Sequence, residues 1–212
     1  MIQNILKLSV LAFLLSHNGS LFAKSLNTSK VVQKPIVLAH AGNVKIQSEA
    51  CGEEGYPCNY VLYDAKGKKK ILLEDWSYTA NAYQFTPNLM GFLFGATGSG
   101  RLLTVIDAEN KQKDYANVEG INDSQSCMVT FERGLKNMPD SLVFYSLPDF
   151  RVQLVLNKKV PQFKKFTSPA GSHFEDNGDF SFDYAYPIEN ESGIQAVLIQ
   201  NPCQKNYRII MD

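Results

Sequence analysis

"YVLYDAKGKKKILL" (60–73), "LLTVIDAENKQKDY" (102–115) and "LVFYSLPDFRVQLV" (142–155) share one plan. Each opens as a strand-like apolar run, breaks at a turn and resumes as a second alternating run. Asp64, Asp107 and Ser146 hold the equivalent first-turn position, at nearly even intervals along the chain. "VLIQNPCQKNYRII" (197–210) reads as a fourth copy at a longer interval. A period of roughly 40 residues is the spacing of β-propeller blades, where each repeat is a small sheet that cannot bury its apolar face alone.

The chain around these copies has the same grain. "NYVLYD", "KKILLED", "RLLTVID", "SCMVTFE", "SLVFYSL", "FRVQLVL", "DFSFDYAY", "IQAVLIQ" and "YRIIM" are short, rich in β-branched and aromatic residues, and bounded by turn residues. The intervals between them are too short for crossover helices, and nothing after Ala23 sustains a helical stripe over three turns. The expected fold is all-β and antiparallel, a small propeller-like array of about four hairpin repeats. A β-sandwich is the alternative, because its hairpins also end in Asp-rich turns.

The start of the chain, "MIQNILKLSVLAFLLSHNGSLFAKS", is laid out differently. Lys7 precedes an apolar run from Leu8 to Leu15, followed by a more polar stretch to Ala23, the pattern of a secretory signal peptide. The run is far short of the ~20 residues that span a bilayer. Three segments are therefore expected: a signal peptide (1–23), a polar leader (24–34) and one all-β domain (35–212). The destination is the periplasm or the exterior, with no membrane insertion.

Charge and cysteine usage agree with that address. The chain has 21 basic and 21 acidic residues, and loss of Lys7 with the signal peptide leaves it nearly neutral. Such a surface has no electrostatic means of holding nucleic acid. Cys51, Cys58, Cys127 and Cys203 all lie in the exported part. Four cysteines in an oxidising compartment imply two disulfides, with three pairings open to them. The favoured pairing closes "GEEGYP" between Cys51 and Cys58 and links Cys127 to Cys203. Zinc would need Cys-x-x-Cys spacing or nearby histidines, which are missing.

The glycine-rich "GATGSGRLL" (95–103) is not a phosphate loop. A Walker loop needs Lys and then Ser or Thr after its last glycine, leading into a helix. Here Arg101 and Leu102 follow, and "RLLTVID" reads as a strand. Glu175, Asp176, Asn177, Asp179 and Asp183 in "HFEDNGDFSFDY" (173–184) offer calcium-type ligands, but not at the spacing of the twelve-residue loop. Asn177-Gly178 is by itself a strong hairpin turn, which makes these carboxylates a solvated turn. His40 and His173 are the imidazoles left after His17 departs, and no Gly-x-Ser-x-Gly elbow is present. No catalytic residue, cofactor or metal is assigned, and the chain is not expected to be an enzyme.

Two lysine groups, Lys66, Lys68, Lys69 and Lys70 and then Lys158, Lys159, Lys164 and Lys165, read as solvated turns or as a docking surface for an acidic partner. "EDWSYTANAYQF" (74–85) concentrates aromatic residues; period-two spacing puts Trp76, Tyr78 and Ala80 on one strand face, and pairs Tyr83 with Phe85. The partner-contact candidates are Tyr56, held in the cysteine-closed loop, with Trp76 and Tyr78. Small size, export, neutral charge and missing catalytic groups resemble, at the level of a class, bacterial periplasmic inhibitors. These include lysozyme inhibitors and the immunity proteins that neutralise type VI secretion effectors attacking peptidoglycan. The resemblance implies a binding protein whose partner is such an effector or a lysozyme, and it carries over no functional residue. The rival readings are a glycan- or small-ligand-binding envelope module built on Trp76, and an envelope hydrolase with a carboxylate pair.

Overall fold

A computed structural model describes residues 34–78, 80–95, 100–134, 139–188 and 191–212. The signal-peptide assignment and the leader up to residue 33 fall outside the described residues. The remainder folds as four antiparallel four-stranded sheets, each a meander of consecutive strands. Sheet 1 holds β1 (Ile36–Ala41), β2 (Val44–Glu49), β3 (Cys58–Tyr63) and β4 (Lys69–Trp76). Sheet 2 holds β5 (Ala80–Thr86), β6 (Leu89–Phe94), β7 (Leu102–Asp107) and β8 (Gln112–Tyr115). Sheet 3 holds β9 (Val118–Ile121), β10 (Cys127–Glu132), β11 (Ser141–Ser146) and β12 (Arg151–Leu156). Sheet 4 holds β13 (Ala170–Phe174), β14 (Phe180–Ile188), β15 (Glu191–Gln200) and β16 (Arg208–Met211). The fold is all-β and propeller-like.

Each repeated sequence copy is the third and fourth strand of one sheet, and turn chemistry explains the likeness. Asp64 Oδ1 accepts from the backbone N–H of Lys66 (2.9 Å) and Lys68 (2.8 Å). Asp107 Oδ1 does the same for Glu109 and Lys111, both at 2.9 Å. The side chain thus replaces a backbone turn acceptor. Both turns then need a left-handed residue, supplied by Gly67 (φ 77°) in one and Asn110 (φ 63°) in the other. The fourth copy comes late for two reasons. A segment with a 3-10 turn at Pro161–Phe163 intervenes after β12, and β14 and β15 are the long strands of the fold.

Three apolar layers hold consecutive sheets together. Ala41, Val44, Ile46, Tyr60 and Leu62 of sheet 1 pack on Met90, Phe92 and Ile106 of sheet 2. Leu93, Leu103, Val105 and Tyr115 of sheet 2 pack on Val118 and Met128 of sheet 3. Phe131 and Phe144 of sheet 3 meet Phe180, Phe182 and Tyr184 of sheet 4, with Phe163 and Phe166 of the crossing segment between them. Among the described residues no such layer joins sheet 4 back to sheet 1. On the side of sheet 1 away from sheet 2, the Glu49 carboxylate accepts from Tyr63 Oη (2.5 Å) and Lys69 Nζ (2.6 Å).

Both disulfides have the favoured pairing, Cys51–Cys58 and Cys127–Cys203. The first closes a loop inside sheet 1. The second starts at the head of β10 and ends in the β15–β16 turn, so it staples sheet 3 to sheet 4. Their sequence separations are 7 and 76. In the chain-entropy account these loops are worth about 2.5 and about 4.5 kcal/mol respectively. Thermal unfolding of two double serine variants should therefore rank them, with C127S/C203S losing more stability than C51S/C58S; the reverse order would refute the inter-sheet staple.

A pH effect follows from the Glu49 cluster. Hydrogen bonds from Lys69 first, then Tyr63, hold the Glu49 carboxyl below its ordinary value of 4.5. A depressed carboxyl contributes stability above that value and loses it as pH falls through the folded-state value. Because Lys69 is half exposed, solvent screening keeps the contribution small. Denaturant titrations should show Glu49→Gln slightly less stable than the parent at pH 7, with the gap closing on acidification.

Candidate functional site

The meander gives each sheet two unlike ends. At one end lie the short turns joining first to second and third to fourth strands. At the other lie the crossings to the next sheet and the connections of second to third strands, which are the longer loops in sheets 1 to 3; in sheet 4 the β15–β16 turn is the longer one. Backbone links bring like ends together. Gly42 N–H donates to Pro87 C=O (2.9 Å) and Ala108 N–H to Asn88 C=O (3.2 Å) at the tight-turn end. Val118 N–H donates to Arg101 C=O (3.0 Å) at the loop-bearing end.

The three contact candidates all lie at the loop-bearing end of sheet 1. Cys58 is the register partner of Trp76, which sets the disulfide loop beside the start of the crossing to sheet 2. The loop is internally bonded: Gly52 N–H donates to Pro57 C=O (3.1 Å) and Gly55 N–H to Gly52 C=O (2.9 Å). Gly52 is required there, since a Cβ would sit 2.4 Å from the Tyr56 carbonyl oxygen. This rigid loop displays Tyr56 with 45% of its surface exposed.

Trp76 ends β4, and the crossing follows at once. Trp76, Tyr78 and Ala80 therefore do not share one strand face as the alternation implied: Ala80 opens β5, in the next sheet. The period-two pattern runs through the crossing without marking it. The Trp76 ring meets Phe94 edge-on at 6.3 Å and Tyr78 at 5.4 Å. Its Nε1 is buried with no acceptor among the described residues, whereas Tyr78 is 58% exposed. Asp75, just before it, has φ 45° and gives its N–H to Asn59 Oδ1 (2.8 Å). Tyr83 and Phe85 do form the expected pair, stacked at 5.9 Å.

The glycine-rich loop joins β6 to β7 at this same end; residues 96–99 lie outside the described residues. Gly100 and Arg101 lead into a strand, and Arg101 Nε donates to the Val118 carbonyl (2.9 Å). That guanidinium ties sheet 2 to sheet 3. Farther along the loop-bearing end, Lys158, Lys159, Lys164 and Lys165 occupy the crossing from sheet 3 to sheet 4, and Arg133 lies over the Phe131 ring. Lys66 and Lys68 belong to the tight-turn end, in the β3–β4 turn.

The acidic turn is also at the tight-turn end. Asn177-Gly178 makes the β13–β14 hairpin as expected, with Glu175 and Asp176 exposed. Asp179 departs from the expectation of a solvated turn: it is buried. Its Oδ1 accepts from Asn201 N–H (3.0 Å) and its Oδ2 from Asn177 Nδ2 (3.0 Å), which locks the two turns of sheet 4 together. The nearby Asn177 and Gly178 announce the hairpin, but nothing local announces the distant Asn201. His173 Nε2 lies 3.2 Å from Glu175 Oε1, the oxygen to which Ser181 Oγ also donates. The serine is bonded to the carboxylate and not to the imidazole, unlike a nucleophile–base pair. His40 uses its backbone, with its N–H on Gln84 Oε1 (3.0 Å). Among the described residues no three His, Cys, Asp or Glu side chains are grouped to hold a metal, and no helix is long and apolar enough to cross a membrane.

The chain matches no protein-family model and no curated protein. Among solved structures it is similar to the β-propeller domain of the trilobed protease from Pyrococcus furiosus, which has an open velcro topology. There the identity is 9% and the TM-score 0.35, over 85% of this chain and 57% of that one. It is also similar to the acylaminoacyl peptidase of Pyrococcus horikoshii, at 13% identity and TM-score 0.29, over 85% of this chain and 38% of that one. The chain thus spans about half the length of the first and well under half of the second.

The two carboxylates of the acidic turn should behave differently. Asp179→Ala leaves the Asn201 N–H without its acceptor and should cost about 1–3 kcal/mol in urea unfolding. Asp176→Ala should stay within about 0.5 kcal/mol of the parent. Equal, small effects would mean that Asp179 is not a tie.

Proposed function

We propose that this chain is an exported binding protein that presents the loop-bearing end of its β array to another protein. The reading extends to a periplasmic inhibitor or immunity protein, whose partner is a cell-wall-degrading enzyme or a type VI secretion effector. One observation carries it: a covalently closed loop with Tyr56, and the crossing with Trp76 and Tyr78, lie at the same end of sheet 1. Interfaces concentrate their energy in a few aromatic and arginine anchors, and a loop ordered before contact loses less entropy on binding. The disulfide and the Gly52 turn supply that order. The crossing between sheets 3 and 4 adds lysines that would speed encounter with an acidic partner.

Export is part of the same proposal. Two disulfides, with no free cysteine in the described part of the chain, suit an oxidising compartment. The segment from Met1 to Ala23 has the layout that would deliver the chain there. The competing glycan-binding reading draws on the indole Nε1 of Trp76, a buried donor that a sugar hydroxyl could satisfy.

The test is affinity capture from envelope and competitor-cell extracts, followed by titration of the captured partner against variants. Tyr56→Ala and Tyr78→Ala should keep the parent circular dichroism, and the anchor among them should lose about 2 kcal/mol or more of binding. Trp76→Phe, which keeps the packing on Phe94, reports on the indole. Glu175→Ala and Asp176→Ala should bind normally. If the acidic-turn variants fail while the aromatic variants bind, the contact surface is at the wrong end. Tight binding of a cell-wall glycan with no protein captured would replace this reading with the glycan one.

A further inference from the structure

Four sheets in a row have three mutual interfaces and two end faces. Among the described residues nothing covers the face of sheet 4 turned away from sheet 3. Along it run the cross-strand rows His173–Ser181–Leu198–Ile210, Asp183–Ala196 and Ala185–Ile194. Ile194 is 74% exposed and Ile210 41%. A shallow cavity of about 850 Å³ lies over this face, lined by sheet 4 and its turns and by no residue of sheet 1. The matching face of sheet 1 carries the rows Val37–Gln47–Val61–Ile71 and Lys45–Tyr63–Lys69. Val37 and Ile71 are each half exposed, while Val61 between them is buried.

Isoleucines so exposed on a sheet face are what a covering sheet would bury. The faces between consecutive sheets are buried in that way. Each sheet is completed by its own four consecutive strands, and among the described residues none is lent across the seam between sheets 4 and 1. The two end faces also differ in charge. Sheet 1 presents Lys45 and Lys69 with Glu49, which is already paired with Lys69, and the irregular end of β4 opposite Asn59 adds the exposed Glu74 and Asp75. Sheet 4 presents Glu175, Asp183 and Asp212, with Arg208 at its edge. The acidic face of sheet 4 is thus a poor match for itself, and the lysines of sheet 1 are what it can pair with.

We infer that the occupant of these faces is a second copy of this chain, docked head to tail, with sheet 4 of one copy on sheet 1 of the next. Strands ~4.8 Å apart and ~3.3 Å per residue make a four-stranded face of short strands on the order of 400 Å². One seam is below the size of a stable interface. Two seams, as when a pair of copies closes into a ring of eight sheets, bury on the order of 1,600 Å² in total, the standard size. A head-to-tail contact is heterologous, and closing it is what keeps it from growing into a filament.

The experiment uses the full oxidised chain in sedimentation velocity and native mass spectrometry. The parent should form a dimer in the micromolar range. Ile194→Asp disables only the sheet 4 face and Ile71→Asp only the sheet 1 face; both positions are exposed, so folding should survive. Each variant alone should lose self-association, with its midpoint moved upward about tenfold or more. Mixed one to one, they keep one intact seam and one carrying both substitutions, and since a single seam is below the stable size the mixture should associate far more weakly than the parent. A parent that stays monomeric up to ~100 µM overturns the inference, whatever else covers the seam. A variant mixture that regains the parent's midpoint, when both variants give the parent's circular dichroism, overturns the two-seam closure. Dimers unaffected by either substitution would place the contact elsewhere and also overturn it.

Discussion

A four-stranded antiparallel sheet of this composition has an apolar face that it cannot bury by itself, and the architecture follows from that. The strands are short, from β8 and its like to β15 at the long extreme, so each sheet offers one compact patch. The only partner of matching shape is another such sheet. Sheets therefore follow one another, and each interface is filled according to what its strands provide. Between sheets 1 and 2 the filling is largely aliphatic, with the aromatic contact of Tyr60 on Phe92 at 5.3 Å. Between sheets 3 and 4 it is a bed of phenylalanines meeting edge to face, such as Phe144 on Phe180 at 5.4 Å. Large rings reach across a sheet gap of about 10 Å, and the crossing segment adds Phe163 and Phe166 where strands alone would leave space.

Sequence patterns revealed the third and fourth strands of each sheet, together with β10 and β14, and missed the other first and second strands. The third and fourth strands share a local cause, an Asx-type turn with its left-handed residue, and so repeat visibly at Asp64 and Asp107. The first and second strands share only a place in the array, and their sequences are free to differ. β1 (IVLAHA), β6 (LMGFLF) and β13 (AGSHF) carry Ala or Gly among their apolar residues. At Gly91 a Cβ would lie 2.6 Å from the Phe85 ring, so a residue that weakens strand propensity is demanded by packing. The same limit governs the site. Cys51 and Cys58 announce their loop, while the pairing of Cys58 with Trp76 and the tie from Asp179 to Asn201 depend on residues distant in sequence.

The two ends of the array are ordered differently, and hydrogen bonding shows the difference. At the tight-turn end side-chain acceptors are used on backbone N–H groups: Asp64, Asp107, Asn122 and Asp179 each accept at least one. Such turns have little freedom to present a variable surface, and the Cys127–Cys203 link fixes them further. At the other end, loops joining second to third strands are not needed to set register, because the strands they join already pair along their length. Their sequence is free to serve recognition, provided that something else keeps them ordered. Over residues 51–58 that something is a disulfide and a glycine in close approach to a carbonyl.

Trp76 is where these two demands meet. It is the last residue of β4, its ring packs on Phe94 of the next sheet, and it touches the exposed Tyr78 beyond. A side chain in that position transmits the geometry of the sheet 1–sheet 2 layer to the crossing. Its Nε1, with no acceptor among the described residues, is a buried donor whose cost is a constraint on the fold unless something outside supplies the acceptor. An acceptor brought by a partner would recover that cost on binding, so the same indole that weakens the free protein slightly would strengthen a complex. On the proposed reading, that gain would fall at the loop-bearing end of sheet 1, where Trp76 stands beside the exposed Tyr78.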